Sequence, residues 1–327
     1  MIPEESYPPV AMKLSQISDH IADFILSIEH KKMETRGTYQ RALREFMYFF
    51  TTDRKFQFRV KDVERYKLYL MKKNLKPVSI STYLTSLRRF CQYLTEKGVI
   101  ERNPAKKVQG AARPQRHSRH FLTLDEIKLL LDSIDISTQT GLRDKALILT
   151  MLGCACSEVE LSTAFVEDFS KDKSKWKLRV QGKGKIVKSE SIDVPQQTAE
   201  AIQQYLQSRG ELAPEQPLFA SNSNRTKHKN MSVRGIREAI SLRLEASIVK
   251  KGRDLRLTPF SLRHTAGILM AESGFSVEQV MERMRIEWRP TALLYFKQAG
   301  QLHSETKPDS KEYIGEIESR QSPDEES

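Results

Sequence analysis

Hydroxyl side chains and arginines share one face of a helix predicted in the first third of the chain. Ser79 is its predicted N-cap, and apolar residues at helical spacing run from Ile80 to Leu94. The opposite face carries the polar side chains Ser81, Thr82, Thr85, Arg88, Arg89 and Gln92. These groups suit contact with a sugar-phosphate backbone, because hydroxyls and guanidinium groups donate hydrogen bonds to phosphate oxygens. An ordinary solvated helix face fits the same pattern equally well.

The charge of the chain also favours a polyanionic partner. Its 54 Lys and Arg exceed its 42 Asp and Glu, which gives a formal net charge of +12. Acidic side chains are concentrated in residues 301–327, so the remainder is more basic still. Each phosphate that a cation neutralises releases counterions, and we therefore expect nucleic acid as the partner. The alternative is a basic protein whose lysines only solvate helix faces.

The cysteines indicate neither a disulfide framework nor a metal site. There are three, Cys91, Cys154 and Cys156, and Cys154-x-Cys156 has no second Cys or His pair at ligand spacing. We interpret them as small core residues. No apolar run approaches the ~20 residues of a membrane span, and the N-terminus lacks the pattern of a signal peptide. We expect a cytoplasmic, nucleoid-associated protein that contacts no membrane.

The elements that must position these residues form two predicted domains. Helical spacing recurs four times before Gly98, and a capping box at Thr123–Glu126 opens a second apolar region. Between them lies a basic stretch that is rich in helix breakers. The predicted segments are a flexible lead-in (1–14), a helical domain (15–103), a basic linker (104–120), a second domain (121–300) and an acidic tail (301–327).

The second domain is predicted to be mainly helical with a small β-hairpin, which makes the fold class α+β. The stretch from Arg143 to Leu161 is mostly apolar and reads as a buried helix, a turn and another helix. Residues 176–180 and 186–194 alternate as strands do around a Gly-Lys-Gly turn. Helices resume at Thr198 and continue to about Gln298.

Four ordered motifs of the second domain resemble those of the tyrosine recombinase (phage integrase) family. GCACSEVEL at 153–161 resembles G-L-R-x-S-E-L, and GKGK at 182–185 resembles the family's catalytic-lysine turn. LTPFSLRHTAGILMAESG at 257–274 resembles the L-T-P-H-x-L-R-H-T box, and Tyr295 follows at the interval that the family shows. The N-terminal helices resemble the family's SAM-like core-binding domain, so the resemblance covers roughly residues 15–300.

This resemblance implies DNA strand cleavage and rejoining through a 3′-phosphotyrosine, in the integration or recombination of a mobile element. Tyr295 would be the nucleophile, Arg263 would hold phosphate oxygens and Lys183 would be the general acid, with His264 and Glu158 in support. Neither a metal nor another cofactor is implied. Double-stranded DNA is the implied partner, bound by a homotetramer or by a complex with another recombinase.

The predicted DNA-binding side chains come from three places. They lie on the helix after Ser79, in the linker and on a helix predicted after Ser232. They are Ser81, Thr85, Arg88, Arg89, Arg113, Arg116, Arg234 and Arg237.

Three positions depart from the family's pattern. Ala155 stands where the first arginine belongs, Phe260 where the first histidine belongs, and Ile286 where the family has His or Trp. None of these side chains donates a hydrogen bond or carries charge. Losing one preorganised donor typically costs about 10²–10³ in rate. The degenerate pattern therefore predicts impaired or altered activity.

Three functions stay open on these grounds. The chain is a divergent working recombinase, a catalytically inactive architectural or regulatory DNA-binding partner, or a relaxing enzyme like the type IB topoisomerases. A partner recombinase is one source of the missing groups. Cations elsewhere in this chain are the other source, and the candidates are Arg179, Arg285 and Arg289.

Overall fold

A computed structural model describes residues 9–31, 33–53, 55–111, 120–182, 187–222, 228–247 and 257–300. The chain divides into two compact units, Met1–Pro114 and Gln115–Ser327. Each unit has a hydrophobic core of its own.

The first unit is helical. Its four helices are α1 (Leu14–Ser27), α2 (Met33–Thr52), α3 (Val60–Lys72) and α4 (Pro77–Glu96). The apolar residues that recur at helical spacing are the ones buried between the helices. Phe46 of α2 lies at the centre, with its ring centroid 5.2 Å from that of Phe56 and 5.4 Å from that of Tyr66. The prediction of four helices is confirmed.

The start of α4 differs from the prediction. The helix begins at Pro77 with Lys76 as its N-cap, so the prediction of Ser79 as N-cap is wrong. Proline is favoured in the first turn because its φ is already helical and its missing N–H would have no partner there. The Ser79 N–H donates to the Lys76 carbonyl at 2.8 Å, inside the first turn.

The first part of the predicted linker packs onto α4. Pro104–Lys106 form a 3-10 turn, and Ala105 and Val108 are buried in the core of the first unit. Arg88 holds this segment, because its guanidinium donates to the carbonyls of Ala105 (3.0 Å) and Val108 (2.9 Å). Residues 112–119 lie outside the described part of the chain, and the predicted domain boundaries stay predictions.

The second unit contains helices around one central helix, α6. Its described helices are α5 (Leu124–Asp132), α6 (Gln139–Gly153), α7 (Glu158–Ser162), α8 (Gln196–Ser208), α9 (Val233–Ala246), α10 (Pro259–Glu272), α11 (Val277–Met284) and α12 (Arg289–Ala299). The helix α6 is buried on nearly every side and contacts α8, α9 and α10. The capping box of α5 is confirmed, since Thr123 N donates to Glu126 at 2.9 Å and Thr123 Oγ1 accepts from Glu126 N at 3.3 Å.

A three-stranded antiparallel sheet completes the second unit. The strands β1 (Phe169–Asp172), β2 (Lys175–Val180) and β3 (Glu190–Val194) follow in chain order. The predicted hairpin is β2 and β3, with Trp176 opposite Val194. The first strand was not predicted, because only Phe169 of its four residues is buried and no alternation is visible. The predicted α+β fold class is confirmed.

Candidate active site

Tyr295 lies on α12 with its side chain turned into the protein. The residue is only 2 % exposed, and its hydroxyl is 3.1 Å from Nδ1 of His264 on α10. The two rings are tilted, with centroids 5.7 Å apart. The structure therefore brings the predicted nucleophile and the predicted supporting histidine together.

Gly267 is what allows the Tyr295 ring to lie against α10. A Cβ at this glycine would meet the Cδ1 and Cε1 atoms of Tyr295 at 2.9 Å and the sulfur of Met284 at 2.7 Å. Such distances are shorter than a carbon atom tolerates. The helix α10 thus carries a small residue one turn after His264, at the place where α12 packs on it.

Arg263 precedes His264 on α10 and faces the end of α6. Its Nη1 donates to the Ala155 carbonyl and to Glu160 Oε2 (3.2 Å), and its Nη2 donates to the Met284 carbonyl. Burial lowers the pKa of this guanidinium, while Glu160 and, more weakly, Tyr295 act in the opposite direction. Arg263 is thus a buried cation that is paired with Glu160.

Glu160 is the central anion of the site, and sequence reasoning missed it. Its carboxylate caps α7, since Ser157 N (2.6 Å) and Ser157 Oγ (2.9 Å) both donate to Oε2. Burial acts to raise its pKa, but Arg285 and Arg263 outweigh burial and hold the pKa below its ordinary value. The Ser-x-x-Glu spacing of a capping box was the signal that would have found it.

Arg285 fills the space beside Ala155. Its Nη2 donates to the Ala155 carbonyl at 2.8 Å and to Glu160 Oε2 at 3.1 Å, and its Nε donates to Glu160 Oε1 at 2.6 Å. Ala155 itself is buried and has a positive φ of 47°. Two guanidinium groups, from Arg263 and Arg285, therefore converge on one carbonyl and one carboxylate.

The two other departing positions, Phe260 and Ile286, lie in different surroundings. The Phe260 ring meets the His264 ring edge-on, with centroids 4.9 Å apart. Ile286 packs against the core of the second unit just after α11. Both side chains lack a polar donor, so within the described part of this unit the groups placed around the site are Arg263, Arg285 and His264.

Three further predicted site residues of the second unit, Glu158, Arg234 and Arg237, take part in ion pairs. Glu158 is buried and accepts from Arg237 Nε at 3.1 Å. Arg234 pairs with Glu238 one turn along α9 at 2.7 Å. Lys183, the predicted general acid, lies outside the described residues, as do Arg113 and Arg116 of the predicted linker.

The predicted DNA-binding face of α4 is divided between internal and external roles. Arg88 is engaged with the Ala105 and Val108 carbonyls, whereas Arg89 is exposed. The Ser81 hydroxyl donates to the Ala111 carbonyl at 3.3 Å, and the Thr85 hydroxyl donates to the Ser81 carbonyl at 2.8 Å. Contact between this face and DNA stays a prediction.

This arrangement suits chemistry at a phosphate. A phenol is a nucleophile, an imidazole nitrogen orients it, and two guanidinium groups donate to anionic oxygens in fixed geometry. No group of His, Cys, Asp and Glu side chains in the described ranges is arranged to hold a metal ion. The searched part of the chain contains no helix with the length and apolar character that crossing a bilayer requires.

Comparison with protein families identifies the second unit. A family model described as the phage integrase family matches residues 120–289. The chain belongs to the phage integrase family. A second model, the phage integrase SAM-like domain, matches residues 14–109, so this integrase-family chain has both of the predicted domain types. The first match ends before Tyr295, which therefore rests on spacing and on its contact with His264.

The chain is similar to bacterial tyrosine recombinases over most of its length. It is 27 % identical to tyrosine recombinase XerC of Pelobacter propionicus, over 82 % of this chain and 87 % of the relative. It is 29 % identical to tyrosine recombinase XerC of Vibrio cholerae, over 72 % of this chain and 74 % of the relative.

Solved structures share the fold of this integrase-family chain. The XerH site-specific recombinase bound to its palindromic difH substrate matches with a TM-score of 0.69 at 15 % identity, over 88 % of this chain and 82 % of that one. A lambda integrase dimer bound to a COC′ core site matches with a TM-score of 0.65 at 16 % identity, over 90 % of this chain and 99 % of that one. At these identities the likeness concerns the fold alone.

Proposed function

We propose that this chain is a site-specific DNA recombinase that cuts and rejoins strands through Tyr295. The observation that carries the proposal is the placement of the Tyr295 phenol 3.1 Å from Nδ1 of His264, the residue that follows the buried Arg263 on α10. A nucleophile, a group that orients it and a cation for the phosphate thus come from α10 and α12. The similarity to tyrosine recombinases over most of the chain supports the same reaction.

In the proposed reaction the Tyr295 oxygen attacks the scissile phosphorus. A bond forms between that oxygen and phosphorus, and the bond from phosphorus to the 5′ oxygen breaks. The phenol proton passes to a base, for which His264 Nδ1 is the proposed acceptor. The leaving oxygen takes a proton, for which Lys183 is the proposed donor, and the product is a 3′-phosphotyrosine with a free 5′-hydroxyl. A 5′-hydroxyl from a second duplex then reverses the step. No nucleotide is consumed, because the phosphotyrosine bond retains the energy of the phosphodiester.

The protein groups contribute through electrostatics and orientation. The transition state concentrates negative charge on the non-bridging oxygens, and a buried guanidinium stabilises that charge more strongly than water does. The Tyr295 phenol is held by His264, so its direction is set before attack. Altered activity relative to a full donor set is part of the proposal, because Ala155, Phe260 and Ile286 donate nothing.

The proposed partner is double-stranded DNA, held by several protomers. The XerH and lambda integrase structures that share this fold are described as bound to a palindromic substrate and as a dimer on a core site. A palindromic site suits a symmetric assembly of identical chains. We propose the same for this chain, on DNA at the ends of a mobile element.

A covalent trapping experiment tests the proposal. The purified chain is mixed with DNA that spans the ends of its own element and is nicked near the candidate cleavage sites. A nick lets the short 5′ fragment diffuse away, so the phosphotyrosine adduct accumulates and runs slowly on a denaturing gel. We expect an adduct with the unmodified chain and none with Tyr295→Phe, although both bind the DNA equally.

A second candidate function is that of an inactive DNA-binding partner. The observation that favours it is the burial of the site: Tyr295 is almost inaccessible, and Arg263 donates to internal carbonyls. A buried phenol beside an internally paired arginine is what a DNA-binding partner that does not cleave would have. Tight, site-selective binding without any adduct, even when a neighbouring recombinase is added, would establish this second function and refute the first.

A further inference from the structure

Arg285 has a backbone conformation that glycine normally takes. It follows the last residue of α11 with a φ of 54°, in the left-handed region. The Ile286 N–H donates to the Met281 carbonyl at 2.8 Å, which is the hydrogen-bond pattern of a helix end closed by a left-handed residue. Side chains other than Gly and Asn are disfavoured at such a position. An arginine at such a position indicates that its side chain has a function.

That side chain is directed into the site and is held at several points. The guanidinium donates to both oxygens of Glu160 and to the carbonyls of Ala155 and Arg283, and a longer contact of 3.4 Å reaches the Cys154 carbonyl. The side chain is only 8 % exposed. A guanidinium fixed in this way loses little freedom when it binds a further anion.

Arg285 and Arg263 are close enough to engage one phosphate together. A nitrogen of each donates to the same oxygen of Glu160, at 3.1 Å and 3.2 Å, and to the same carbonyl oxygen of Ala155. The two guanidinium groups and the Glu160 carboxylate together carry a net charge of one positive unit. That net charge complements the single negative charge of a phosphodiester.

The other two candidate cations are placed differently. Arg179 on β2 pairs with Asp168 at 3.3 Å, and its side chain is 51 % exposed. Arg289 at the start of α12 pairs with Glu278 and is 55 % exposed. Neither contacts Ala155, Glu160 or Arg263 through any hydrogen bond or ion pair described among these residues.

We infer that Arg285 supplies the guanidinium that the chain lacks at Ala155, and that it contacts the scissile phosphate together with Arg263. The inference rests on the proposed function. In the cleavage step Nη1 of Arg285 exchanges its long contact with the Cys154 carbonyl for a non-bridging oxygen, while the Tyr295 oxygen bonds to phosphorus and the 5′ oxygen leaves. The arginine enters the site from the end of α11, instead of from the segment between α6 and α7.

The competing explanation is that Arg285 only neutralises the buried Glu160. Two variants separate the explanations: Arg285→Gly, which suits the backbone at this position, and Arg285→Gly combined with Glu160→Gln, which removes both charges. Arg283→Ala is the matched control, because it removes one positive charge from the last turn of the same helix. The Arg283 guanidinium lies over the Phe275 ring, outside the site.

Each variant is tested on nicked DNA with two scissile groups, an ordinary phosphodiester and a methylphosphonate. A methyl group in place of one non-bridging oxygen removes the negative charge that a cation must stabilise. We expect Arg285→Gly to slow adduct formation by about 10²–10³ on the phosphodiester, and by much less on the methylphosphonate. The double variant should remain slow on the phosphodiester, and Arg283→Ala should cleave as the unmodified chain does.

Thermal melting and DNA binding accompany every rate. If Arg285→Gly does not fold, Arg285→Lys separates the two explanations instead, because lysine keeps the charge beside Glu160 but cannot donate in the bidentate geometry of a guanidinium. The inference predicts that the loss of cleavage rate in Arg285→Lys is smaller on the methylphosphonate, which offers a single non-bridging oxygen.

The results distinguish a failure of the inference from a failure of the proposed function. Recovery of phosphodiester cleavage in the double variant, or equal losses on both scissile groups, would overturn the inference and leave the proposed function standing. Unimpaired cleavage by Arg285→Gly would do the same. An unmodified chain that forms no adduct on either DNA would refute the proposed function, and the role of Arg285 with it.

Discussion

Gly267→Ala tests whether the packing of α10 against Tyr295 sets the position of the nucleophile. The added Cβ would lie 2.7 Å from the Met284 sulfur and 2.9 Å from two carbons of the Tyr295 ring. Ordinary carbon contacts begin near 3.5 Å. The ring or the helix must therefore shift by roughly half an ångström or more. Since Tyr295 is buried on this side, the shift changes its contact with His264.

Two opposing terms set the stability of this variant. Alanine in a helix interior is favoured over glycine by about 1 kcal/mol. Overpacking a filled core costs about 1–3 kcal/mol. We expect a net loss of about 0–2 kcal/mol in the free energy of unfolding, which leaves the chain folded.

Cleavage should suffer far more than stability. A misplacement on the order of 1 Å in a reacting group costs about 10²-fold in rate. We expect adduct formation to fall by about 10–100-fold while DNA binding stays unchanged. The assay is the rate of adduct formation on nicked DNA, together with the melting temperature of each variant.

Gly235→Ala in α9 is the matched control. Its Cβ would meet its nearest neighbour, Ser232 Oγ, at 3.4 Å, which is an ordinary contact. This variant should be as stable as the unmodified chain or slightly more so, and should cleave at the same rate. A Gly267→Ala variant that cleaves as fast as Gly235→Ala would refute the argument that this glycine positions Tyr295.

Three further predictions concern charge. Burial raises the pKa of Glu272 to about 7, so its ionisation destabilises the fold as pH rises from about 4.5 to above 7. Glu272→Gln should therefore add about 1–2 kcal/mol to the free energy of unfolding at pH 8, and nothing at pH 4, as measured by denaturant unfolding. Arg88→Ala should lower the free energy of unfolding by about 1–3 kcal/mol by the same assay, because two backbone carbonyls lose their donor. Arg89→Ala should leave stability unchanged and weaken DNA binding in a gel-shift titration, and equal stability losses in the two variants would contradict this contrast. Asp144→Asn should cost about 3–5 kcal/mol, since Arg143 and Arg243 both pair with this buried carboxylate, and an unchanged melting curve would count against it.

Periodicity predicted the elements that carry the site. The apolar run of α6 and the helical patterns that resume at Thr198 identified helices correctly, because burial on one or all faces leaves a pattern in the sequence. The assignment of Tyr295 came instead from its spacing to Arg263, which resembles that of the family. The strand β1 left no such pattern, and the true start of α4 depended on Pro77 rather than on a capping hydroxyl.

The partners of the site residues were beyond the reach of sequence patterns. Arg285 was one of three candidate cations, and only the fold shows that the end of α11 meets the segment around Ala155. The sequence predicts Arg88 as a DNA-binding residue, yet its guanidinium donates to the Ala105 and Val108 carbonyls, in a segment beyond the end of α4. Contacts of this kind depend on how elements pack, which no local spacing encodes.

The measurement that tests the central claim most directly is the identity of the residue joined to DNA. The chain is incubated with nicked DNA from its element's ends, digested with protease and nuclease, and sequenced by mass spectrometry. We predict a nucleotide attached through its 3′-phosphate to the peptide that contains Tyr295, and its absence from Tyr295→Phe. A nucleotide on another residue, or bound DNA that carries no attached peptide at all, would contradict the assignment of Tyr295 as the nucleophile.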